Sequence, residues 1–383
     1  MKIVVTGAGG LIGWHASARL HAINCTARFR GEKEPYTIVA LDRATFNDDT
    51  TLTSALRNAG LVLHFAGVNR ATGKEQETGN IALAQRLEAA LSKTNSSATV
   101  VYSNSTHEIA DNAYGRGKRR AAEILSADAK NRRASFANLI LPHVFGEGGR
   151  PFYNNVTGTL CQQIVDGDQP TITPDGTVEL VHAGNAAQTA IDIGIAEEDG
   201  RKRLDGMEMS VQALYEKLKG YHDSYTNFIY PDLSDPFDVA LFNTYRQHLY
   251  PERFPCAVKV NTDVRGRLFE CAKGGGGGQC FISWTEPGAT RGEHFHLNKV
   301  ERFLVLEGQA QIAMRKVLTN KTYMFDVSGD TPAYVDMPTL WTHNITNTGS
   351  VPLVTLFWTH DMFDPATPDT YADPVGNDKS APT

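Results

Sequence analysis

Short apolar, β-branched runs recur through the first half of the chain, at Ile3 to Val5, Ile38 to Leu41, Val62 to Phe65, Thr99 to Tyr102 and Phe136 to Leu141. Between them lie stretches with apolar residues at helical spacing. Ile81 to Leu91 is one, and its alanines are small enough for a helix to lie close against a sheet. Strands alternating with helices predict an α/β Rossmann-type, doubly wound parallel sheet. After residue 200 the pattern mixes, and Tyr221 to Pro255, rich in aromatics, Pro and Asp, reads as an irregular or helical connector. From Pro255 to about Trp358, apolar alternation, Gly-Gln and Asn-Thr-Gly turns and few helix signals predict an all-β unit. The expected organisation is residues 1–250 for the first domain, 251–373 for the second, and a polar tail at 374–383 that frays. Gly274 to Gly278 is followed by neither a helix start nor Lys-Ser/Thr, so it reads as a hairpin loop without chemistry.

Length agrees with this division: 383 residues at about 150 per domain give two or three domains. With 41% hydrophobic and 21% charged residues and no apolar run near the roughly 18 a span requires, a membrane protein is not expected. A net charge of −6 without a long basic run gives no footprint for nucleic acid. Cys25, Cys161, Cys256, Cys271 and Cys280 are odd in number and contain no Cys-x-x-Cys, which argues for a reducing compartment. The opening MKIVVTGAGG lacks the apolar core of a signal peptide and reads as the first strand of a cytoplasmic protein. Small molecules are the expected partners.

Thr6-Gly7-Ala8-Gly9-Gly10-Leu11-Ile12-Gly13 follows a strand and opens a helix. Gly7, Gly10 and Gly13 have the spacing for a tight turn, close pyrophosphate approach and close helix packing. A dinucleotide is therefore expected against Gly7, Gly10, Leu11, Ile12 and Gly13, its phosphates facing the helix N-terminus. At the end of the second strand Asp42 suits the free ribose of NAD(H), while Arg43 suits the 2'-phosphate of NADP(H). Arg43 is carried forward with NADP(H), and NAD(H) stays as the alternative. Ala66 and Gly67 offer small residues where the cofactor passes the third strand.

Tyr114-Gly115-Arg116-Gly117-Lys118 places a phenol and an ammonium on one helix face. A nearby Lys cation and the nicotinamide charge are expected to lower the phenol from its ordinary pKa of about 10. Ser105 is the expected hydroxyl for a substrate carbonyl, with Ser103 and Thr106 as rivals. These residues resemble the extended short-chain dehydrogenase/reductase family over about residues 1 to 245. The resemblance implies action on nucleotide sugars. It departs from the family at His143, where Pro142-His143-Val144-Phe145-Gly146 carries His in place of the usual Asn.

In the second domain, Gly288-x5-His294-x-His296-x4-Glu301-x6-Gly308 is followed by Pro338-x4-His343-x3-Asn347. Histidines at i and i+2 on a strand share a face, so His294, His296, Glu301 and, from a distant strand, His343 can meet at one ion. Neutral imidazoles and a carboxylate suit Zn²⁺, or Fe, Mn or Ni. The pattern resembles the cupin superfamily, with Leu340 where its second motif usually has glycine. An extended reductase fused to a C-terminal cupin, with Gly67 to Arg70, Thr342 to Asn344 and Met362-Phe363-Asp364-Pro365-x-x-Pro368-Asp369-Thr370-Tyr371, resembles a family of capsular polysaccharide biosynthesis enzymes.

That resemblance implies a homodimer with two activities on a UDP-linked 4-keto-6-deoxy-N-acetylhexosamine, on the route to UDP-N-acetyl-L-fucosamine. The cupin would epimerise C3, the metal or nearby donors stabilising an enolate, and the first domain would reduce the C4 ketone with NADPH. Tyr114 would donate the proton, Lys118 would tune Tyr114, and Ser105 would orient the carbonyl. For the epimerase base the candidates are Lys299, Glu307 and Tyr371, with Lys299 preferred. The alternatives are a 4-ketose reductase whose cupin only dimerises it, a non-catalytic nucleotide-sugar sensor, and an iron-dependent cupin oxygenase.

Overall fold

The computed structural model describes all residues except 264–265, 269–271, 275–277, 362–363 and 377–383. Cys271, most of the glycine run, Met362 and Phe363 therefore lie outside the described residues. The chain divides into two compact units, 1–159 with 171–214, and 160–170 with 215–383. Packing thus groups 215–250 with the β-rich unit, ahead of the division at 250 expected from sequence.

The first unit is built on β1 (Lys2–Thr6), β2 (Thr37–Leu41), β3 (Leu61–His64), β4 (Thr99–Ser105) and β5 (Phe136–Leu141), followed by β6 (His143–Phe145), β7 (Thr177–His182), β8 (Gly200–Arg203) and β9 (Met207–Ser210). Its helices are α1 (Leu11–Phe29), α2 (Arg43–Asn47), α3 (Asp49–Leu56), α4 (Lys74–Lys93) and α5 (Ala113–Arg132), while α6 (Val156–Asp166) leads into residues of the second unit; α7 (Ala183–Ile195) follows β7. Six parallel strands lie in the order β2-β1-β3-β4-β5-β8. Ile3, Val4 and Val5 are fully buried, as a strand covered on both faces requires. Val4, Val62, Leu87 and Leu125 belong to the core under α4 and α5, and Ile3, Leu20, Leu63 and Ile191 to the one under α1 and α7. Strand order reverses direction between β1 and β3, which opens a crevice at their C-terminal ends.

Besides residues 160–170, the second unit takes α8 (Val211–Tyr225) from residue 215 onward, then β10 (Ile229–Tyr230), α9 (Pro236–Arg246), β11 (Cys256–Ala257), β12 (Asn261–Asp263), β13 (Gly266–Leu268) and β14 (Lys273–Gly274). It continues through β15 (Gln279–Thr285), β16 (Thr290–Phe295), β17 (Glu301–Glu307), β18 (Gln309–Lys316), β19 (Thr322–Ser328), β20 (Ala333–Met337), β21 (Trp341–Asn347), β22 (Leu353–Thr359) and β23 (Tyr371–Ala372). Two five-stranded antiparallel sheets, β11-β20-β17-β22-β15 and β19-β18-β21-β16-β23, form a cupin-type barrel. Their inward positions, Phe303, Ile312, Met314, Val335, Ile345 and Phe357 among them, make one core. The chain crosses from β17 in one sheet to β18 in the other at Gly308, whose φ of +90° suits glycine.

At the glycine position of the second cupin motif Leu340 takes the left-handed φ of +62° itself, is 2% exposed, and donates its N–H to the His296 carbonyl. One expectation is corrected. The polar tail does not fray from its start, because Val375 is buried and Arg315 donates to the Pro374 and Val375 carbonyls.

Candidate active site and metal centre

In the first unit the glycine loop is dictated by space. A Cβ on Gly7, which has φ +68°, would lie 2.7 Å from the Ala66 nitrogen, and one on Gly13 would lie 2.3 Å from the Gly7 carbonyl oxygen. Gly7 thus lets β1 turn against Ala66 at the end of β3, and Gly13 lets α1 pack onto the loop. Gly10 caps α1 with no side-chain hydrogen bond, so Leu11 and Ile12 open the helix with backbone N–H groups available to an anion. Thr6 Oγ1 and His64 Nδ1, 2.7 Å apart, tie the ends of β1 and β3 together. Asn80 fixes Gly67-Val68 by accepting from the Val68 N–H at 3.1 Å and donating to its carbonyl at 3.0 Å. Neither Thr6 nor Asn80 stood out in the sequence, since a buried polar brace has no spacing signature.

Asp42 caps α2, accepting from the backbone N–H and hydroxyl of Thr45 at 2.8 and 2.6 Å, and these bonds hold its carboxyl below the usual range. Arg43 beside it is exposed.

Tyr114 sits in the first turn of α5, where Asn112 accepts from the Gly115 N–H at 2.8 Å and so sets the helix start. The intervening glycines are packing requirements: a Cβ at Gly115 would lie 2.2 Å from the Ala110 oxygen, and one at Gly117 would lie 3.0 Å from Glu77 on α4. The Tyr114 phenol faces the Ser105 side chain at the end of β4, whose hydroxyl favours the ionised phenol, which singles out Ser105 from its rivals. Ser103 is instead buried with its hydroxyl toward the His64 carbonyl, and Thr106 lies in the turn that follows.

Lys118 is buried, donates to the Ser103 carbonyl at 2.6 Å, and lies 4.4 Å over the Tyr102 ring. Burial raises the Tyr114 phenol despite the opposing effect of the Ser105 hydroxyl, so the expected lowering by the Lys118 cation is not what the protein alone provides. The reason is the placement of Lys118 on Ser103 and Tyr102. Burial pulls the Lys118 ammonium itself down to about 7, with Glu108 acting the other way. Burial lowers His143 against the opposing effect of the Asn155 side chain, and its buried Nε2 has no hydrogen-bond partner among the described residues.

In the second unit, His294, His296, Glu301 and His343 bring one ligand atom each to within 4.8 Å of one another. Glu301 Oε2 lies 3.1 Å from His296 Nε2 and 3.3 Å from His343 Nε2. Each imidazole is oriented through its other nitrogen, Nδ1, toward a backbone carbonyl: Gly292 for His294 at 3.1 Å, Asp369 for His296 at 2.6 Å and Trp341 for His343 at 3.1 Å. With Nδ1 carrying the proton, Nε2 turns a lone pair into the cluster, the arrangement in which outer-shell acceptors fix metal-ligating histidines. His343 Nε2 is fully buried without a well-formed hydrogen bond, so a group that accepts its lone pair fits there. Burial, then the neighbouring His343 and His296, pushes His294 well below the ordinary histidine range, and the imidazoles hold Glu301 ionised against the burial that would raise it. Neutral imidazoles around a carboxylate match the donor set of a divalent transition ion.

The three base candidates separate. The Lys299 ammonium donates to the Pro368 carbonyl at 2.8 Å and to Thr370 Oγ1 at 3.3 Å. Glu307 is exposed and lies six residues along β17 from Glu301, about 20 Å at strand rise. Tyr371 pairs with Phe295 across β16 and β23 and so shares the Phe295 face, opposite in pleat to the neighbouring His294.

Residues 3–200 match the NAD dependent epimerase/dehydratase family. The chain belongs to this family. Residues 261–371 match the polysaccharide biosynthesis C-terminal domain. A protein of Pseudomonas aeruginosa described as UDP-2-acetamido-2,6-beta-L-arabino-hexul-4-ose reductase is 30% identical over 382 residues, spanning 98% of this chain and 99% of that one. The crystal structure of the capsular polysaccharide assembling protein CapF from Staphylococcus aureus matches with a TM-score of 0.61 and 29% identity, covering 98% of this chain and 100% of that one. CapF with the inhibitor 3-isopropenyl-tropolone matches at 0.57 and 26%, with the same coverage. The order of an epimerase/dehydratase-type domain followed by this C-terminal domain is CapF-like throughout. No helix among the described residues is long and apolar enough to cross a membrane.

Proposed function

We propose that this protein is a bifunctional UDP-sugar enzyme of capsule or surface polysaccharide synthesis, acting twice on a UDP-linked 4-keto-6-deoxy-N-acetylhexosamine on the route to UDP-N-acetyl-L-fucosamine. The observation that carries the reductase half is the Tyr114 phenol facing the Ser105 side chain at the end of β4, with Lys118 one helical turn behind and its ammonium beside Gly67. A reduced nicotinamide bound along Gly7 to Gly13, Ala66 and Gly67 supplies hydride for the C4 ketone. Ser105 orients the carbonyl, Tyr114 gives its proton to the oxygen, and Lys118 holds the ribose and, with that charge in place, eases the phenol's ionisation. Asp42 is committed to capping α2 while Arg43 stays exposed, which supports NADP(H) over NAD(H). The name of the Pseudomonas aeruginosa relative supports the substrate class.

The C4 ketone also acidifies C3–H, and the cupin-type unit is the proposed site of its epimerisation. His294, His296, Glu301 and His343 would hold Zn²⁺ or another divalent ion there, and the ion when bound supplies Lewis-acid stabilisation of negative charge on oxygen. Lys299 is the proposed base, which must leave Pro368 and Thr370 and lose a proton to serve. Incubating the UDP-4-keto sugar with protein in D2O, first without and then with NADPH, tests the reading by NMR. Deuterium at C3 before cofactor and a 4-hydroxyl product after it is expected; reduction with no C3 exchange would remove the epimerase half.

That second outcome has its own support. The β15 edge leaves Phe281, Ile282 and Trp284 exposed, Trp284 at 63%, and such an apolar edge suits a second copy of the chain. A homodimer is proposed under both readings. If the barrel only dimerises the reductase, Trp284→Lys lowers the oligomeric state in light scattering and no ligand substitution alters chemistry at C3.

A further inference from the structure

The three imidazoles of the cluster are not held alike. Gly292 and Trp341, the acceptors for His294 and His343, each lie two residues before the histidine they orient, so strand geometry alone supplies them. The acceptor for His296 is the carbonyl of Asp369, 73 residues away in sequence, and at 2.6 Å it is the shortest of the three. Its alignment therefore depends on whatever holds Asp369 in place.

The Asp369 carboxylate does this itself. Oδ1 accepts from the Leu297 N–H at 3.0 Å, and Oδ2 accepts from the Asn298 and Lys299 N–H groups, both at 2.8 Å. Three consecutive backbone donors that leave β16 without strand partners thus end on one side chain. The Lys299 ammonium returns the grip, donating to the Pro368 carbonyl and Thr370 Oγ1 on either side of Asp369. Asp369 has φ +41°, a left-handed backbone that costs an L-residue about 1–2 kcal/mol and is held here by these contacts.

The surrounding segment is built to present it. Asp364 accepts from the Ala366 N–H at 2.8 Å and the Thr367 hydroxyl at 3.0 Å, folding the turn that precedes it. After Asp369 the chain becomes β23 and pairs with β16 at His294 and Phe295. Asp373 then donates its N–H to the Glu293 carbonyl and takes the Arg315 guanidinium at 3.0 Å. The Asp-Pro-x-x-Pro-Asp-Thr-Tyr stretch thereby acquires a physical role as a strap along the histidine strand.

We propose that Asp369 is a positioning residue for the metal centre and for Lys299: its carbonyl fixes the His296 tautomer and its carboxylate locks the loop that carries Lys299. The proposal rests on the metal reading above, and its test separates the two. Cobalt(II) titration of the full chain, followed by absorption, gives affinity for the wild type, Asp369→Ala and Asp369→Asn. Long-range proton–nitrogen NMR of the same proteins before cobalt addition reads the His296 tautomer, which a merely structural residue would not change. Tryptophan fluorescence is the folding control, since Trp284, Trp341 and Trp358 all lie in the unit that carries Asp369.

Asp369→Ala is expected to bind cobalt roughly 10- to 100-fold more weakly, the usual loss for an outer-shell partner, with His296 shifting from the Nδ1–H form to a mixture. Asp369→Asn, which keeps one acceptor oxygen, is expected to fall between and carries the test if the alanine variant does not fold. Cobalt affinity and tautomer both unchanged in the variants would overturn the proposal. A tautomer shift in a protein whose wild type binds no cobalt would uphold the positioning role and overturn the metal reading instead.

Discussion

Lys118 shows how much one buried charge can say. The folded protein holds its ammonium near a pKa of about 7, chiefly through burial, whereas an unfolded lysine titrates at about 10.4. Between those values the unfolded chain carries a proton that the folded chain lacks, so this residue makes stability rise with pH across that window. Lys118→Met is expected to flatten the rise, read from urea unfolding at about pH 7.5 and about pH 9.5. An unchanged slope would mean that Lys118 keeps its proton in the fold. For chemistry, Tyr114→Phe is expected to lower ketone reduction by roughly 10² to 10⁴, because proton donation is lost while the site keeps its shape. Steady-state NADPH oxidation checks it.

Elements are held by pairs as well as by cores. On β17 and β20, Arg302 and Asp336 form a fully buried bidentate pair at 2.6 and 3.0 Å, with Tyr230 donating to Asp336 at 2.9 Å and Tyr334 stacked 3.6 Å from the guanidinium carbon. Removing one partner leaves the other charge unpaired in the core, so Arg302→Leu should cost about 3–5 kcal/mol. The double replacement Arg302→Leu with Asp336→Leu should recover most of it, since an apolar pair needs no counter-charge. Urea melts of both variants decide the matter; a double variant as weak as the single one would assign the effect to packing alone. Sequence carried little of this, because two charges 34 residues apart give no local pattern. Local patterns did carry the sheet: the apolar runs at Ile3, Ile38, Val62, Thr99 and Phe136 are β1 to β5, and Ile81 to Leu91 lies within α4. Leu340 adopts a left-handed φ that local preference disfavours, and its hydrogen bond to His296 and its burial hold it there.

Across the whole molecule, the residues legible in sequence are those whose chemistry demands fixed spacing. Gly7 to Gly13, Tyr114 with Lys118, and His294 with His296 each sit within a single turn or strand, so their geometry is written in the numbering. Thr6, Asn80 and Asp369 act across many residues, and what each does emerged only once the fold brought them to their partners. The same separation by unit gives the central claim its clearest consequence, because the proposed proton chemistry and the proposed hydride chemistry use different residues of one chain. NMR of the UDP-4-keto sugar in D2O with the Tyr114→Phe protein tests this most directly. The account predicts deuterium at C3 with no reduced product when NADPH is present, and loss of the deuterium when His296→Ala is added. Reduction at the wild-type rate without Tyr114, or exchange at C3 that ignores His296, would contradict it.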